Sequence, residues 1–196
     1  MSIHLLIPSL YKSEPMSFKS ISSSQITMSE LMLPSYSNFG GKIHGGYILG
    51  LMDQVAFACA SKHSGHYCVT ASVNRVDFLN PIEVGELVHL KASINYTGRS
   101  SMVVGLRVEA ENIKTGEIKH CNSSYFTMVA KTEDGKTTQV PGIILDSEES
   151  VRRFSRSMAR LQQSRTRSQE FIAENFRIKE YMPALKGQNA KVSLTE

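Results

Sequence analysis

The chain has 196 residues, 41% hydrophobic and 20% charged, with a formal net charge of +4; it can bury one sizeable core with an appendage, and its mild basic excess suits an anionic ligand without demanding nucleic acid. No apolar run is long enough to span a membrane, and the run from His4 to Ile7 is too short, unpreceded by Lys or Arg, and stopped by Pro8, which excludes a signal peptide. Three cysteines, Cys59, Cys68 and Cys121, in apolar or strand-like surroundings argue against a disulfide framework and for a reducing, cytoplasmic location.

Residues 1–23 are Ser-rich and without sustained period, so they read as a loosely ordered leader. Residues 25–33 predict a strand that stops at Pro34, and a Ser/Asn/Gly-rich loop follows over 35–41. From Gly45 the apolar residues Ile48, Leu49, Met52, Val55, Ala56, Cys59 and Ala60 fall three and four apart, which predicts a buried helix of about four turns. Everything from Tyr67 to Ala130 reads as sheet. Val88, Leu90, Ala92, Ile94 and Tyr96 alternate with polar residues, Met102 to Ala110 repeat the pattern, and Asn80-Pro81, Gly98-Arg99 and Thr115-Gly116 supply turns. The order predicts an α+β domain: a strand, one long helix, then about four antiparallel strands in a meander, with the helix lying across a curved sheet.

After Pro141-Gly142 the composition turns basic, with Arg152, Arg153, Arg156, Arg160, Arg165 and Arg167. Val151, Phe154, Met158 and Leu161 keep helical spacing, so an amphipathic helix packed on a neighbour is expected, its arginines on a solvated face rather than a nucleic-acid surface. The tail beyond Tyr181-Met182-Pro183 reads as disordered.

Asp53 stands out because its helical neighbours Leu49, Ala56 and Phe57 are apolar, and an unpaired buried carboxylate needs a partner or a task. It is a functional candidate; a satisfied structural Asp, or one on an exposed stripe, is the alternative. Gly45-Gly46 at the helix start offers backbone N–H groups to a ligand oxygen, or merely lets the helix pack close. Cys59, His63, His66 and Cys68 cluster in sequence, but their spacing is not a zinc pattern and no metal is expected. No Gly-x-Ser-x-Gly elbow, Walker loop or dinucleotide fingerprint is present.

Taken together, Pro34 with Asn38, His44-Gly45-Gly46, Met52-Asp53, Cys68-Val69-Thr70-Ala71-Ser72-Val73-Asn74-Arg75-Val76-Asp77-Phe78, Pro81 to Gly85 and Gly98 to Gly105 resemble the acyl-CoA hydrolase branch of the hotdog thioesterases. The resemblance covers roughly residues 24–141 and leaves 142–196 as a basic helix and tail. The Asp-Thr that precedes this Asn in many members is missing, Asn74 stands where Asp is frequent, and Ile43-His44 replaces a Phe. The resemblance implies hydrolysis of fatty acyl-CoA with Asp53 as general base or nucleophile and Asn38 positioning substrate or water. It also implies that Thr70, Ala71 and Ser72, with Arg99, Ser100 and Ser101, line the CoA channel. Asn38 of one subunit would meet Asp53 of another in a dimer, with a trimer of dimers as the fuller assembly. Gly46 then supplies an N–H to the thioester carbonyl, no cofactor is needed, and CoA is part of the substrate. A catalytically silent acyl-CoA sensor is the rival; a hotdog hydratase would need a His closer after Asp53 than His63.

Overall fold

The computed structural model describes residues 17–170, 177–185, 188–190 and 192–193, with the side chains of 165 and 167–170 left aside. Among the described residues eight strands and three α-helices follow in order: β1 (Phe18–Ser20), β2 (Ile26–Leu31), α1 (Gly45–Ser64), β3 (Tyr67–Val73), β4 (Asp77–Phe78), β5 (Leu87–Thr97), β6 (Ser101–Glu111), β7 (Ile118–Lys131), β8 (Gly142–Ile144), α2 (Glu148–Glu170) and α3 (Ile178–Tyr181). By its contacts the chain divides into two compact units, the first ending at Ser157 within α2.

α1 forms because Ile48, Leu51, Met52, Val55, Ala56, Cys59, Ala60 and His63 make one buried stripe. At 20 residues it exceeds the expected four turns, since Lys62, His63 and Ser64 continue it to Gly65. There φ is +75°, and the Gly65 N–H closes on the Ser61 carbonyl at 2.8 Å.

The main sheet runs β2-β5-β6-β7-β3, every pair antiparallel, with the short β4 also on β7. It presents Val88, Leu90, Ala92, Ile94, Val104, Leu106, Val108, Phe126 and Met128 to α1. This is the hotdog arrangement the resemblance implies. The four-strand meander is corrected: only β5, β6 and β7 follow one another, and β3 pairs with β7 at the far edge. Alternation along a strand states which face is buried and carries no information about its neighbour.

Of the leader, residues 1–16 lie outside the described residues, whereas 18–23 form β1 and a 3₁₀ turn. β1 pairs in parallel with β8. The expected basic helix is α2, opened by a reciprocal cap in which Ser150 N–H donates to Ser147 Oγ at 3.2 Å and Ser147 N–H to Ser150 Oγ at 3.0 Å. Its Phe154 ring lies 4.9 Å from Tyr96. Arg165 and Arg167 side chains lie outside the described residues, as does part of the tail, although Met182–Leu185 is a 3₁₀ helix rather than irregular.

His63, fully buried, ties three segments together. Its Nε2 is 3.1 Å from the Pro141 carbonyl, its Nδ1 is 3.1 Å from Ser24 Oγ, and Lys19 Nζ donates to its carbonyl at 2.6 Å. Pro141 can only accept, so Nε2 carries the proton and Nδ1 is free to accept from Ser24. Burial holds the imidazole below its ordinary value, aided by the Lys19 charge and opposed by the Pro141 bond. The fold therefore keeps His63 neutral while an unfolded chain protonates near pH ~6.5, so its contribution is complete above that pH and is lost as pH falls through the folded value. Urea titrations from pH 7.5 downward should show wild type losing stability faster than His63→Gln below about pH 6.5; parallel curves contradict this.

Candidate active site

Asp53 stands on the α1 face turned away from the sheet, in an exposed stripe with Gly46, Gly50, Gln54 and Phe57. The expected buried carboxylate is thus corrected: of its apolar helical neighbours only Ala56 is buried, while Leu49 is half-buried and Phe57 is 38% exposed. In the single protomer Asp53 meets solvent. It accepts a hydrogen bond from Thr70, whose hydroxyl lies 2.5 Å from Asp53 Oδ1 and 3.4 Å from Met128 Sδ.

This contact exists because β3 turns back after Gly65 and runs beside α1, bringing residues seventeen apart together. The β3–β7 register shifts between Thr70 and Ser72, leaving Ala71 as the extra residue of a bulge. Thr70, Ala71 and Ser72 are all exposed on this edge strand. The resemblance places Thr70 in the CoA channel, and its hydroxyl here donates to the Asp53 carboxylate.

Asn38 lies on the loop before α1, where Oδ1 accepts from the Gly40 N–H at 2.9 Å and the Lys42 N–H at 3.3 Å. The Asn38 N–H also bonds the Lys42 carbonyl at 2.7 Å. With its oxygen turned onto the loop, the amide has Nδ2 donors to offer. A Tyr36–Tyr47 stack at 4.0 Å anchors the loop, the Tyr47 hydroxyl bonds Glu30, and burial followed by that bond push the Tyr47 phenol up. Lys42 pairs with Glu83 at 2.6 Å. Among the described residues no hydrogen bond joins Asn38 to Asp53.

At the start of α1 the Gly46 N–H donates to the exposed His44 Nδ1 at 2.9 Å. The histidine is an N-cap, a role its sequence position did not reveal. A Cβ on Gly45 would stand 3.1 Å from the Phe78 ring and one on Gly46 3.0 Å from His44, so both glycines answer close approach.

Arg99, Ser100 and Ser101 form the β5–β6 hairpin, with the Arg99 side chain exposed. The Ser100 carbonyl accepts from Ala130 N–H at 2.9 Å, and Ser101, Val129 and Val69 form one row across β6, β7 and β3. The hairpin is therefore level with the Thr70 segment and two strand spacings, roughly 10 Å, from it.

Three of the four metal-type residues, Cys59, His63 and Cys68, are buried in the core. Burial pushes the Cys59 thiol up to about 12, His63 is tied as described, and Cys68 Sγ lies 3.3 Å from Ser64 Oγ. Among the described residues no group of three or more His, Cys, Asp or Glu is placed to hold a metal ion, and no helix is long and apolar enough to cross a membrane.

Residues 40–117 match the Thioesterase superfamily. VdlD of Helicobacter pylori is 44% identical over 73% of this chain and 81% of its own. A hexameric acyl-CoA thioesterase, solved without ligand, superposes with a TM-score of 0.75 at 35% identity, over 78% of this chain and 97% of that one. An acyl-CoA hydrolase of Staphylococcus aureus, solved with butyryl-CoA, CoA and CoA disulfide, superposes with a TM-score of 0.73 at 28% identity, over 86% and 99%. Variants of that protein with a single Asp, Asn or Thr replaced by Ala have also been solved, the Asn variant with CoA.

Proposed function

The chain belongs to the acyl-CoA thioesterase family of the thioesterase superfamily, and from that premise we propose that it hydrolyses fatty acyl-CoA to a free fatty acid and CoA at a site centred on Asp53. The observation that carries this reading is the Thr70 to Asp53 hydrogen bond at 2.5 Å. Asn38, Asp53 and Thr70 stand fifteen and seventeen residues apart, the same intervals that separate the Asn, Asp and Thr replaced in the S. aureus hydrolase.

Thr70 occupies Asp53 Oδ1, which leaves Oδ2 to take a proton from water. The oxygen so activated adds to the thioester carbonyl, the C–S bond breaks, and the proton returns to the departing CoA sulfur. Negative charge develops on the carbonyl oxygen, and that oxygen takes the Gly46 N–H from the His44 ring. Asn38, from a second copy, turns its Nδ2 donors on the carbonyl or the water. Arg99, with Ser100 and Ser101, suits CoA phosphate oxygens, and Ala71 and Ser72 border the same edge. The thiolate is a competent leaving group, so the scheme needs neither a metal nor a redox cofactor.

The partner subunit follows from the edge. β3 is an outer strand with neither Lys nor Pro, and around it Tyr67, Val73, Phe78 and Leu79 are 64%, 47%, 54% and 57% exposed. An uncharged, apolar edge of this kind is covered in a stable protein. Pairing β3 with its copy places two α1 helices and two Asp53 residues at one two-fold interface, and the hexameric relatives fit three such dimers. Residues 24–141 carry every group in this scheme, and three buried thiols fit a cytoplasmic setting.

Thiol release from acyl-CoAs of short, medium and long chain tests the reading. Turnover is expected; binding with no turnover at any length leaves an acyl-CoA sensor instead. Thr70→Val should lower kcat roughly 10- to 100-fold, the worth of a hydrogen bond to a charged group, with KM little changed. A raised KM at unchanged kcat would return Thr70 to the CoA channel. Arg99→Ala should raise KM more than it lowers kcat, because a phosphate contact is made in ground and transition states alike. An effect confined to kcat contradicts that role.

A further inference from the structure

Along β7 the alternate buried residues are Ala130, Met128, Phe126, Ser124 and Asn122; the last four pair on β6 with Met102, Val104, Leu106 and Val108, and the first two pair on β3 with Cys68 and Thr70. Ser124 and Asn122 are thus buried polar residues in a run of β7 that is otherwise apolar. Ser124 is accounted for, its hydroxyl lying 3.2 Å and 3.4 Å from the Asn74 and Arg75 carbonyls. Asn122 is not. It is 0% exposed, directly opposite Val108, and among the described residues neither its Nδ2 nor its Oδ1 has a hydrogen-bond partner. A buried primary amide with all its polar capacity unused is a standing cost, which an apolar residue of similar volume would avoid.

Its location relates it to the reacting centre. Asn122 pairs with Phe78 in β4, and the Phe78 ring rests on Gly45, the first residue of α1. Asn122 is thus linked through Phe78 to the helix turn whose Gly46 N–H receives the thioester carbonyl in the proposed function. For an acyl group attached to that carbonyl, the neighbouring apolar surroundings out of water are the layer between α1 and the sheet, to which Ile48, Met52 and Val108 belong.

We propose that Asn122 is a specificity-determining residue that reads an oxygen substituent on the acyl group, so that hydroxyacyl-CoA is preferred to the plain alkyl thioester of equal length. An alkyl chain leaves the amide unpaired in the bound state as in the free one. A hydroxyl donates to Oδ1 and accepts from Nδ2, satisfying both atoms. Discrimination by a buried hydrogen-bonding group exceeds discrimination by one methylene, because only the hydroxylated substrate pairs the polar partner.

This inference rests on the thioesterase reading, and the test separates the two. kcat/KM is measured for six-carbon acyl-CoAs, unsubstituted and hydroxylated at carbon 3 or at the terminal carbon, with wild type, Asn122→Leu and Asn122→Thr. Wild type should favour one hydroxylated substrate at least about tenfold, Asn122→Thr should retain part of that ratio, and Asn122→Leu should bring it near one. A wild-type ratio near one, or a ratio that survives both substitutions, overturns the proposal while leaving hydrolysis intact. Should no acyl-CoA be hydrolysed, the thioesterase reading fails instead. Calorimetric binding of the same compounds to the three proteins then reads the preference directly, with equal affinities overturning it. If Asn122→Leu fails to fold, the Asn122→Thr ratio decides.

Discussion

Asp53→Asn should lower kcat for acyl-CoA hydrolysis by about two to four orders of magnitude, the usual worth of a positioned base, and leave CoA affinity near wild type. The substitution is nearly isosteric. Its side-chain oxygen still accepts from Thr70, so the local geometry is kept while the group that takes a proton from water is removed. Asp53 sits on the solvent-facing stripe of α1, so protomer stability should change within about 0.5 kcal/mol, which separates loss of chemistry from loss of fold. A variant with near wild-type kcat would remove Asp53 from the chemistry.

Much of this architecture was legible in the sequence, for reasons particular to each element. α1 could be read because its apolar residues keep a spacing of three and four from Ile48 to Ala60, and β5 and β6 because apolar residues alternate from Val88 to Tyr96 and recur at every second position from Met102 to Ala110. The position of β3 was not legible: its residues show where the strand is, yet pairing with β7 rather than β5 depends on how the chain passes Asn74 to Glu86. Asp53 was found for a partly mistaken reason. Leu49 and Phe57 suggested burial, but Leu49 is only half-buried and Phe57 is exposed, because both lie outside the stripe that α1 turns to the sheet. The Thr70 bond joins a helix to the strand that doubles back beside it, and nothing local in either segment announces it. The His44 cap was likewise hidden, since histidine is not among the preferred N-cap residues.

The composite site is the claim on which the rest depends, because Asn38 and Asp53 share no hydrogen bond within the described protomer and the Asn38 loop is held by its own contacts to Gly40 and Lys42. Subunit mixing tests it directly. Asn38→Ala and Asp53→Asn homo-oligomers each lack one member of every site and should be nearly inactive. In a mixed dimer one interfacial site combines both wild-type residues and the other carries both lesions. Random pairing of equal amounts makes half the dimers mixed, each with one intact site of two, so activity should return to roughly a quarter of wild type. Recovery near that level, with subunit exchange verified by mass, is the result this account predicts. Exchange without any recovery would contradict it, placing both residues in one protomer's site or taking Asn38 out of the reaction.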